Sequence, residues 1–198
     1  MCVRYGADII GFVVDYPRPV PWNLSVDAAA ALISAVSGSA KTCLVTGGSP
    51  DKIRRLAAKL KPDYIQLHGG ESIEDTAYLS RELQKQGISV IKTLFPDWPN
   101  LTQAAVDFSK TGVYALLVDP RTPDNAAIGG VADLSVFKEI QGAVTCPVIL
   151  AGGIHPGNAA EMIRGAAPRI IDLMTGVERS PGRKDEAKVD ALFQALRD

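Results

Sequence analysis

The sequence predicts an α/β fold of the TIM (β/α)8 barrel type, built as one domain over residues 1–198. Seven short apolar runs, rich in β-branched residues, alternate with longer segments of helical spacing, about 25 residues apart. The runs are almost continuously hydrophobic, as strands are in a parallel sheet that helices cover on both faces. No G-x-G-x-x-G follows the first run and no G-x-x-x-x-G-K-S/T occurs, which argues against dinucleotide-binding and P-loop folds.

The apolar runs give the strands of this fold. In chain order they lie at residues 9–14, 41–46, 64–68, 90–95, 114–119, 147–152 and 169–174. Three of the helices between them have a serine as the expected N-cap, namely Ser25, Ser49 and Ser72. Four more helices are expected near residues 101–110, 133–141, 156–166 and 184–197. Glycines mark four expected helix ends, at Gly38, Gly87, Gly112 and Gly142.

A closed barrel of this type has eight strands, one more than the seven runs. The opening VRYGAD is typical of the last turn of a helix, because Gly6 stops it immediately before the run at residues 9–14. We therefore expect the first β/α unit to be largely missing from this chain. Strand edges and apolar interior would then face water where that unit belongs.

Composition excludes several classes of partner. The formal net charge is −1 and the basic residues are scattered or clustered only in RSPGRK at residues 179–184, so no nucleic-acid partner is expected. Cys2, Cys43 and Cys146 are odd in number and lack CxxC spacing, which indicates neither a disulfide framework nor a metal site. No apolar run approaches the roughly 18 residues of a membrane span. We expect no membrane partner and a cytoplasmic location.

The catalytic site of such a barrel lies at the C-terminal ends of its strands. The last two strands are followed by Gly152-Gly153 and by Thr175-Gly176. Backbone N–H groups at such glycines approach an anion closely, and phosphate binding after the last two strands recurs in this fold. The alternative is that these glycines only form tight turns.

Four ionisable residues end a strand or lie within one. Asp119 ends its run in apolar surroundings, where partial burial raises the pKa of a carboxyl and suits it to act as a general acid. The alternative is that Asp119 caps the turn ahead of Pro120. Asp172 lies within the last strand, where we expect a buried carboxylate with a partner. His68 ends its strand as a site residue or as a hydrogen-bonded structural group. Lys92 lies inside an apolar run and must face the barrel mouth or pair with an acid.

Taken together, the strand ends resemble those of the phosphoribosylanthranilate isomerase family of tryptophan biosynthesis. The resemblance covers nearly the whole chain through YIQLHGGES, ALLVD, PVILAGGIHPGNAAEMI and DLMTGVERSPGRKD. It implies a barrel without cofactor or metal, an isomerase that performs an Amadori rearrangement of N-(5-phosphoribosyl)anthranilate to 1-(2-carboxyphenylamino)-1-deoxyribulose 5-phosphate. The only implied partner is this small sugar phosphate; the oligomeric state is not predicted.

The resemblance also implies roles for particular residues. Asp119 matches the family's general acid, and the phosphate cradle matches the two glycine loops. Together with the residues selected from their positions at strand ends, and with Arg18 as a partial replacement for an arginine of the family, the expected substrate- and phosphate-binding residues are Gly152, Gly153, Thr175, Gly176, His68, Asp172 and Arg18. A remote phosphate contact of this kind holds the sugar in register while the ring opens.

The sequence departs from the family pattern in three places. The family's general base is the cysteine of a K-x-C-G motif that the sequence lacks, and Cys2 precedes a helix end instead of following a strand. PVPWNLS replaces the usual S-P-R-Y, so Arg18 only partly substitutes for the missing arginine. The Gly-Gly-Thr-Gly stretch after Asp119 is partly kept, as Gly129-Gly130-Val131-Ala132. These departures leave open an alternative, a catalytically impaired homologue that binds a sugar phosphate but lacks the base.

Overall fold

The computed structural model describes residues 1–120 and 130–197. Within them, seven strands form one parallel sheet in the order of the sequence. The bounds of these strands are β1 Ile9–Val13, β2 Lys41–Thr46, β3 Tyr64–Leu67, β4 Ser89–Leu94, β5 Ala115–Val118, β6 Val148–Ala151 and β7 Ile170–Asp172. The predicted α/β fold of the TIM-barrel type is confirmed, with all seven expected strands in place.

Helices follow the strands on the outside of the sheet. Their bounds are α1 Cys2–Tyr5, α2 Val26–Val36, α3 Pro50–Leu60, α4 Ile73–Gln84, α5 Leu101–Ser109, α6 Leu134–Ala143, α7 Ala159–Ala166 and α8 Glu186–Ala195. The side chains of Ser25, Ser49 and Ser72 accept the predicted N-cap hydrogen bonds. No helix formed by residues 1–120 or 130–197 is long and apolar enough to cross a membrane.

The ends of the helices follow the glycine prediction with one exception. Gly6 caps α1 in the left-handed region at φ 107°, which confirms the helix end expected in VRYGAD. Gly38, Gly87 and Gly112 also have positive φ. The prediction for Gly142 is wrong, because α6 continues through it to Ala143.

The sheet separates two apolar layers. The larger layer lies between the outer face of the sheet and the helices. The smaller one lies on the inner face and includes Cys43, Ile91, Leu117 and Ile149 from β2, β4, β5 and β6. Partly buried Ile9 of β1 and Ile170 of β7 pack against the same inner cluster, so the sheet curls around it.

β1 and β7 nevertheless do not pair within the described residues. A cavity of about 640 Å³ runs along the inner face and through the gap between these two strands, and it reaches the apolar side of α8 at Val189, Leu192 and Phe193. This gap lies where the sequence predicts that a strand is absent.

The chain between β7 and α8 contains structure that the strand pattern did not predict. A short 3₁₀ turn spans Thr175–Val177. It is followed by an antiparallel hairpin of β8 Glu178–Ser180 and β9 Arg183–Lys184. The Lys184 ammonium donates to the carbonyl of Met174 at 2.9 Å and to Glu178 Oε1 at 2.9 Å, which fixes the hairpin against the end of β7.

Candidate active site

Three of the predicted site residues follow strands that end at one rim of the sheet. His68 follows β3, Asp119 follows β5, and Gly152 follows β6. β4 pairs in parallel with both β3 and β5, and β5 pairs in parallel with β6. The carboxyl ends of parallel neighbours meet at the same edge, so the acid and the glycine loop lie on the same side of the molecule.

His68 and Asp119 are joined directly. His68 Nε2 lies 2.9 Å from Asp119 Oδ2, and the two side chains are 9% and 1% exposed. On the other side of the ring, the Tyr16 hydroxyl lies 2.9 Å from His68 Nδ1. A hydrogen-bonded line of three side chains therefore runs from Tyr16 through His68 to Asp119.

The loop between β1 and α2 places Tyr16. Its backbone N–H donates to Asn23 Oδ1 at 3.2 Å. The preceding Asp15 has φ 46°, a left-handed conformation, and its carbonyl accepts from the Lys52 ammonium. Lys52 also donates to the carbonyl of Gly47 at 2.9 Å, which ties this loop to the end of β2. The PVPWNLS departure thus contributes Asn23 as the residue that holds Tyr16.

The double glycine after β6 is packed beneath a neighbouring loop. Gly152 and Gly153 have φ of 101° and 68°. A Cβ on Gly152 would clash with the ring of Pro120, and one on Gly153 would lie 3.0 Å from Val131 Cα. Both positions therefore require glycine for backbone conformation and for close approach, and the loop after β5 reaches the loop after β6.

The loops after β6 and β7 also touch each other. A Cβ on Gly176 would clash with the carbonyl of Ile154, so the 3₁₀ turn that begins at Thr175 lies directly against the β6 loop. Both glycine loops predicted for phosphate are thus brought together. Gly129, the first residue of the partly kept glycine stretch, lies outside the described residues.

Asp172 does not have the predicted environment. We expected a buried carboxylate within the last strand, but Asp172 is exposed and borders the cavity. The expectation of burial is wrong because β7 forms one edge of the gap, where no strand covers it within the described residues. Arg18 is also exposed, in the β1–α2 loop, and it is outside the cavity lining that the described residues form.

Lys92 pairs with an acid, one of its two predicted arrangements. Its ammonium lies 2.7 Å from Glu71 Oε2, and both side chains are almost fully buried on the outer side of the rim. Cys43 faces the cavity beside Asp172, and burial together with the Asp172 charge raises the pKa of its thiol far above the ordinary value. Cys2 lies in α1, before the N-terminal end of β1 and away from the rim. Neither cysteine is placed as a base at the site.

Sequence reasoning missed Tyr16 and Glu71. Tyr16 lies three residues beyond the end of β1, so the strand-end rule that selected His68 also applies to it. Glu71 lies in the turn after β3, and the buried Lys92 was the signal that an acid had to approach. In the part of the chain that the structure describes, no three His, Cys, Asp or Glu side chains converge as a metal site would require.

Known proteins match the chain along most of its length. Residues 26–195 match the family described as N-(5'phosphoribosyl)anthranilate (PRA) isomerase. The chain is 34% identical over 195 residues to the N-(5'-phosphoribosyl)anthranilate isomerase of Halobacterium salinarum, covering 96% of this chain and 86% of the relative. It is 35% identical over 196 residues to the enzyme of that name from Haloferax volcanii, covering 97% and 84%. The crystal structure of phosphoribosyl anthranilate isomerase from Thermus thermophilus superposes with a TM-score of 0.83 at 28% identity, covering 99% and 90%.

Proposed function

The chain belongs to the family of N-(5'-phosphoribosyl)anthranilate isomerases, and we propose that it catalyses the family's aldose–ketose rearrangement. The substrate would be N-(5-phosphoribosyl)anthranilate and the product 1-(2-carboxyphenylamino)-1-deoxyribulose 5-phosphate, within tryptophan biosynthesis. The observation that carries the proposal is family membership, together with a buried carboxylic group on the same rim as two glycine loops. We place the reaction in the cytoplasm, where three free thiols stay reduced.

Asp119 is the proton source in this proposal. Opening the furanose needs a proton on the ring oxygen as the bond from C1 to that oxygen breaks. The carboxyl is 1% exposed, so it is shielded from proton exchange with bulk water. Its hydrogen bond to His68 fixes its orientation toward the rim. Ring opening leaves a double bond between C1 and the anthranilate nitrogen. A base then removes the proton from C2 to give an enolamine, and protonation of C1 with loss of the 2-hydroxyl proton gives the C2 ketone.

The two glycine loops are proposed to hold the phosphate. Gly152-Gly153 and Thr175-Gly176 lie against each other, and both follow strand ends at the rim of Asp119. Glycine N–H groups and a threonine hydroxyl are suitable donors for a phosphate. Such an anchor at one end of the substrate would leave the pentose to reach toward Asp119.

A second function is favoured by one feature of the sequence. It contains no K-x-C-G motif, and the cavity-lining Cys43 is unsuited to act as a base because its thiol pKa is raised. The alternative is a homologue that binds a sugar phosphate without isomerising it. Its expected signature is phosphate binding by the chain with no conversion of the aminoaldose.

The test compares Asp119→Asn with the unaltered chain. We expect isomerase activity to fall by at least about 10²-fold, the scale of general acid catalysis, because the amide cannot supply the proton. Binding of inorganic phosphate, measured by calorimetry, should change little. Asp107→Asn, at a half-exposed position of α5, is the matched control and should retain both properties.

Each other outcome decides between the functions. Equal loss of phosphate binding and activity in Asp119→Asn would mean that Asp119 is structural. Phosphate binding by the unaltered chain without any turnover would support the binding-only function. Turnover at ordinary enzyme rates would exclude it.

A further inference from the structure

We propose that Asn158 is a positioning residue of the phosphate site, which fixes the loop after β6 so that the backbone N–H groups of Gly153 and Ile154 are held ready for the anion. Asn158 does not touch the substrate in this role. The inference rests on the proposed function, because it concerns how the anchor for the sugar phosphate is shaped. It adds to the two glycine loops one side chain and one further backbone donor.

Asn158 bridges two points of this loop with its amide group. Its Nδ2 donates to the carbonyl of Gly153 at 2.9 Å. Its Oδ1 accepts from the backbone N–H of His155 at 2.8 Å. One partner can only accept and the other can only donate, so the orientation of the amide group is fixed. Both ends of the side chain are therefore used within the loop.

This use of the side chain leaves α7 without a side-chain cap. Asn158 directly precedes Ala159, the first residue of α7, where an asparagine ordinarily accepts from an N–H group of the first helical turn. The Asn158 side chain makes no such bond to the helix. The loop, rather than the helix, is what this asparagine shapes.

Hydrogen bonds to two consecutive carbonyls orient the peptide groups of the loop. Asn158 holds the carbonyl of Gly153. The carbonyl of Gly152 accepts from the backbone N–H of Ala132 at 3.3 Å. Both peptide bonds are trans, so the N–H of the following residue points opposite to each carbonyl. The N–H groups of Gly153 and Ile154 are therefore directed away from the partners of these carbonyls.

These two N–H groups have no acceptor among residues 1–120 and 130–197. Ile154 is only 2% exposed, and a buried N–H without a partner is rare because the lost hydrogen bond destabilises the fold. A phosphate oxygen would supply the missing acceptor. Gly176 packs against the carbonyl of Ile154, so the second glycine loop adjoins the same donors.

The kinetic test is Asn158→Ala, which removes both hydrogen bonds of the side chain. We expect KM to rise by about tenfold with a smaller change in kcat, because a loosened phosphate anchor weakens binding of substrate and transition state alike. Gln141→Ala is the matched control, since Gln141 also donates its side-chain amide to a backbone carbonyl, that of Ala167 before β7, at 3.4 Å. An unchanged KM in Asn158→Ala, or an equal rise in Gln141→Ala, would overturn the positioning role.

Asn158→Asp separates the two hydrogen bonds of the side chain. A carboxylate still accepts from the N–H of His155, which keeps the turn before α7, but it cannot donate to the carbonyl of Gly153. We expect this variant to bind inorganic phosphate more weakly by calorimetry, while urea unfolding shows a stability close to that of the unaltered chain. The neutral Asn158→Ala shows how much of the loss is independent of the added charge. Phosphate binding as tight as that of the unaltered chain in both variants contradicts the proposal.

A readout at the donors themselves does not depend on turnover. In amide NMR spectra of the unaltered chain, inorganic phosphate should move the proton resonances of Gly153 and Ile154 downfield. At the same phosphate concentration these shifts should be smaller in Asn158→Ala and unchanged in Gln141→Ala. Absence of the shifts in the unaltered chain would overturn the proposal. Shifts that depend on Asn158 in a chain without isomerase activity would support it and count against the proposed function alone.

Discussion

Lys92 shows how one buried charge organises several loops near the candidate site. Its ammonium donates to Glu71 Oε2 at 2.7 Å and to the carbonyl of Gly69 at 2.8 Å. The rings of Trp98 and Phe108 each have their centroid 5.5 Å from it. Burial lowers the pKa of Lys92, and the Glu71 carboxylate opposes that shift. The charged form thus depends on Glu71.

Glu71 carries this connection to the loops. Its carboxylate accepts from the N–H groups of Gly48, at 3.0 Å, and Gly69, at 3.1 Å. A Cβ on Gly69 would lie only 2.6 Å from Glu71 Oε1. One ion pair therefore joins β4 to the loops after β2 and β3, and the second of these loops begins at His68.

Replacing Lys92 with methionine should destabilise the fold by about 3–5 kcal/mol, because it leaves the Glu71 carboxylate buried without its partner. Urea unfolding followed by circular dichroism measures the change. Lys110→Met, which breaks an exposed pair with Asp107, is the matched control and should have a small effect. If Lys92→Met lowered the free energy of unfolding no more than Lys110→Met does, groups other than Lys92 would be stabilising the Glu71 carboxylate.

At the scale of elements, the sequence patterns that correctly predicted strands and helices are local ones. A strand buried on both faces has an apolar run, and a helix begins after a serine cap, so both could be located from a few adjacent residues. The hairpin of β8 and β9 escaped prediction because two strands of three and two residues have no period to detect. The exposure of Asp172 could not be predicted, because exposure depends on what lies beyond the edge of β7. Neighbouring residues in the sequence do not encode that.

Some features of the candidate site could likewise be predicted from local sequence, and others could not. The strand-end rule located His68 and Asp119, and the structure joins them. It did not reveal that Tyr16 bonds to the same histidine, since that depends on side-chain packing across the rim. The glycines after β6 were interpreted as anion donors, but their close contact with Pro120 and Val131 comes from a different βα loop.

Asp63 links two strands at the opposite end of the sheet. Its carboxylate accepts from the Lys41 ammonium at 2.7 Å and from the Thr42 backbone N–H at 2.8 Å, at the start of β2. Its own N–H donates to the Thr42 hydroxyl at 3.1 Å, immediately before β3. Burial alone would raise the pKa of Asp63, but the hydrogen bonds from Lys41 and Thr42 outweigh it and lower the pKa below its ordinary 3.8.

Asp63→Asn should therefore lower stability at neutral pH by about 1 kcal/mol, a small value because the side chain is partly exposed. A lowered folded-state pKa means that the unfolded chain binds more protons in the window below 3.8. The contribution of Asp63 is complete above that pH and disappears as pH falls through the folded-state pKa. Urea unfolding at a series of pH values should show the two proteins converging in acid.

The control for this effect is Asp27→Asn. Asp27 pairs with Lys59 at 3.0 Å, but its side chain is 91% exposed. It tests whether loss of any surface carboxylate produces the same pH dependence. A constant difference between the Asp63 variant and the unaltered chain down to strongly acidic pH would contradict the assignment.

At the scale of the whole molecule, the gap between β1 and β7 leaves each of these two strands with an exposed edge that pairs with no other strand in the described residues. Within the described residues, β1 pairs with β2 along one edge, and Leu24 bridges only its end at Val14. The gap opens onto apolar residues, including Ile9, Ile170 and Leu192. Unpaired edges beside apolar surface are templates for association with another chain.

We therefore expect the chain to self-associate as its concentration rises, measured by sedimentation velocity. Ile9→Lys should reduce the association, because an inward-pointing charge on an edge strand must be desolvated when a second strand docks there. Leu32→Lys makes a comparable apolar-to-lysine change at an exposed position of α2, away from the gap, and should leave association unchanged. If both variants reduced association equally, general surface charge rather than the open edge would be the cause. If the unaltered chain stayed monomeric at every concentration, the edges must be protected in solution, and the curled sheet would be a stable end state rather than an open template.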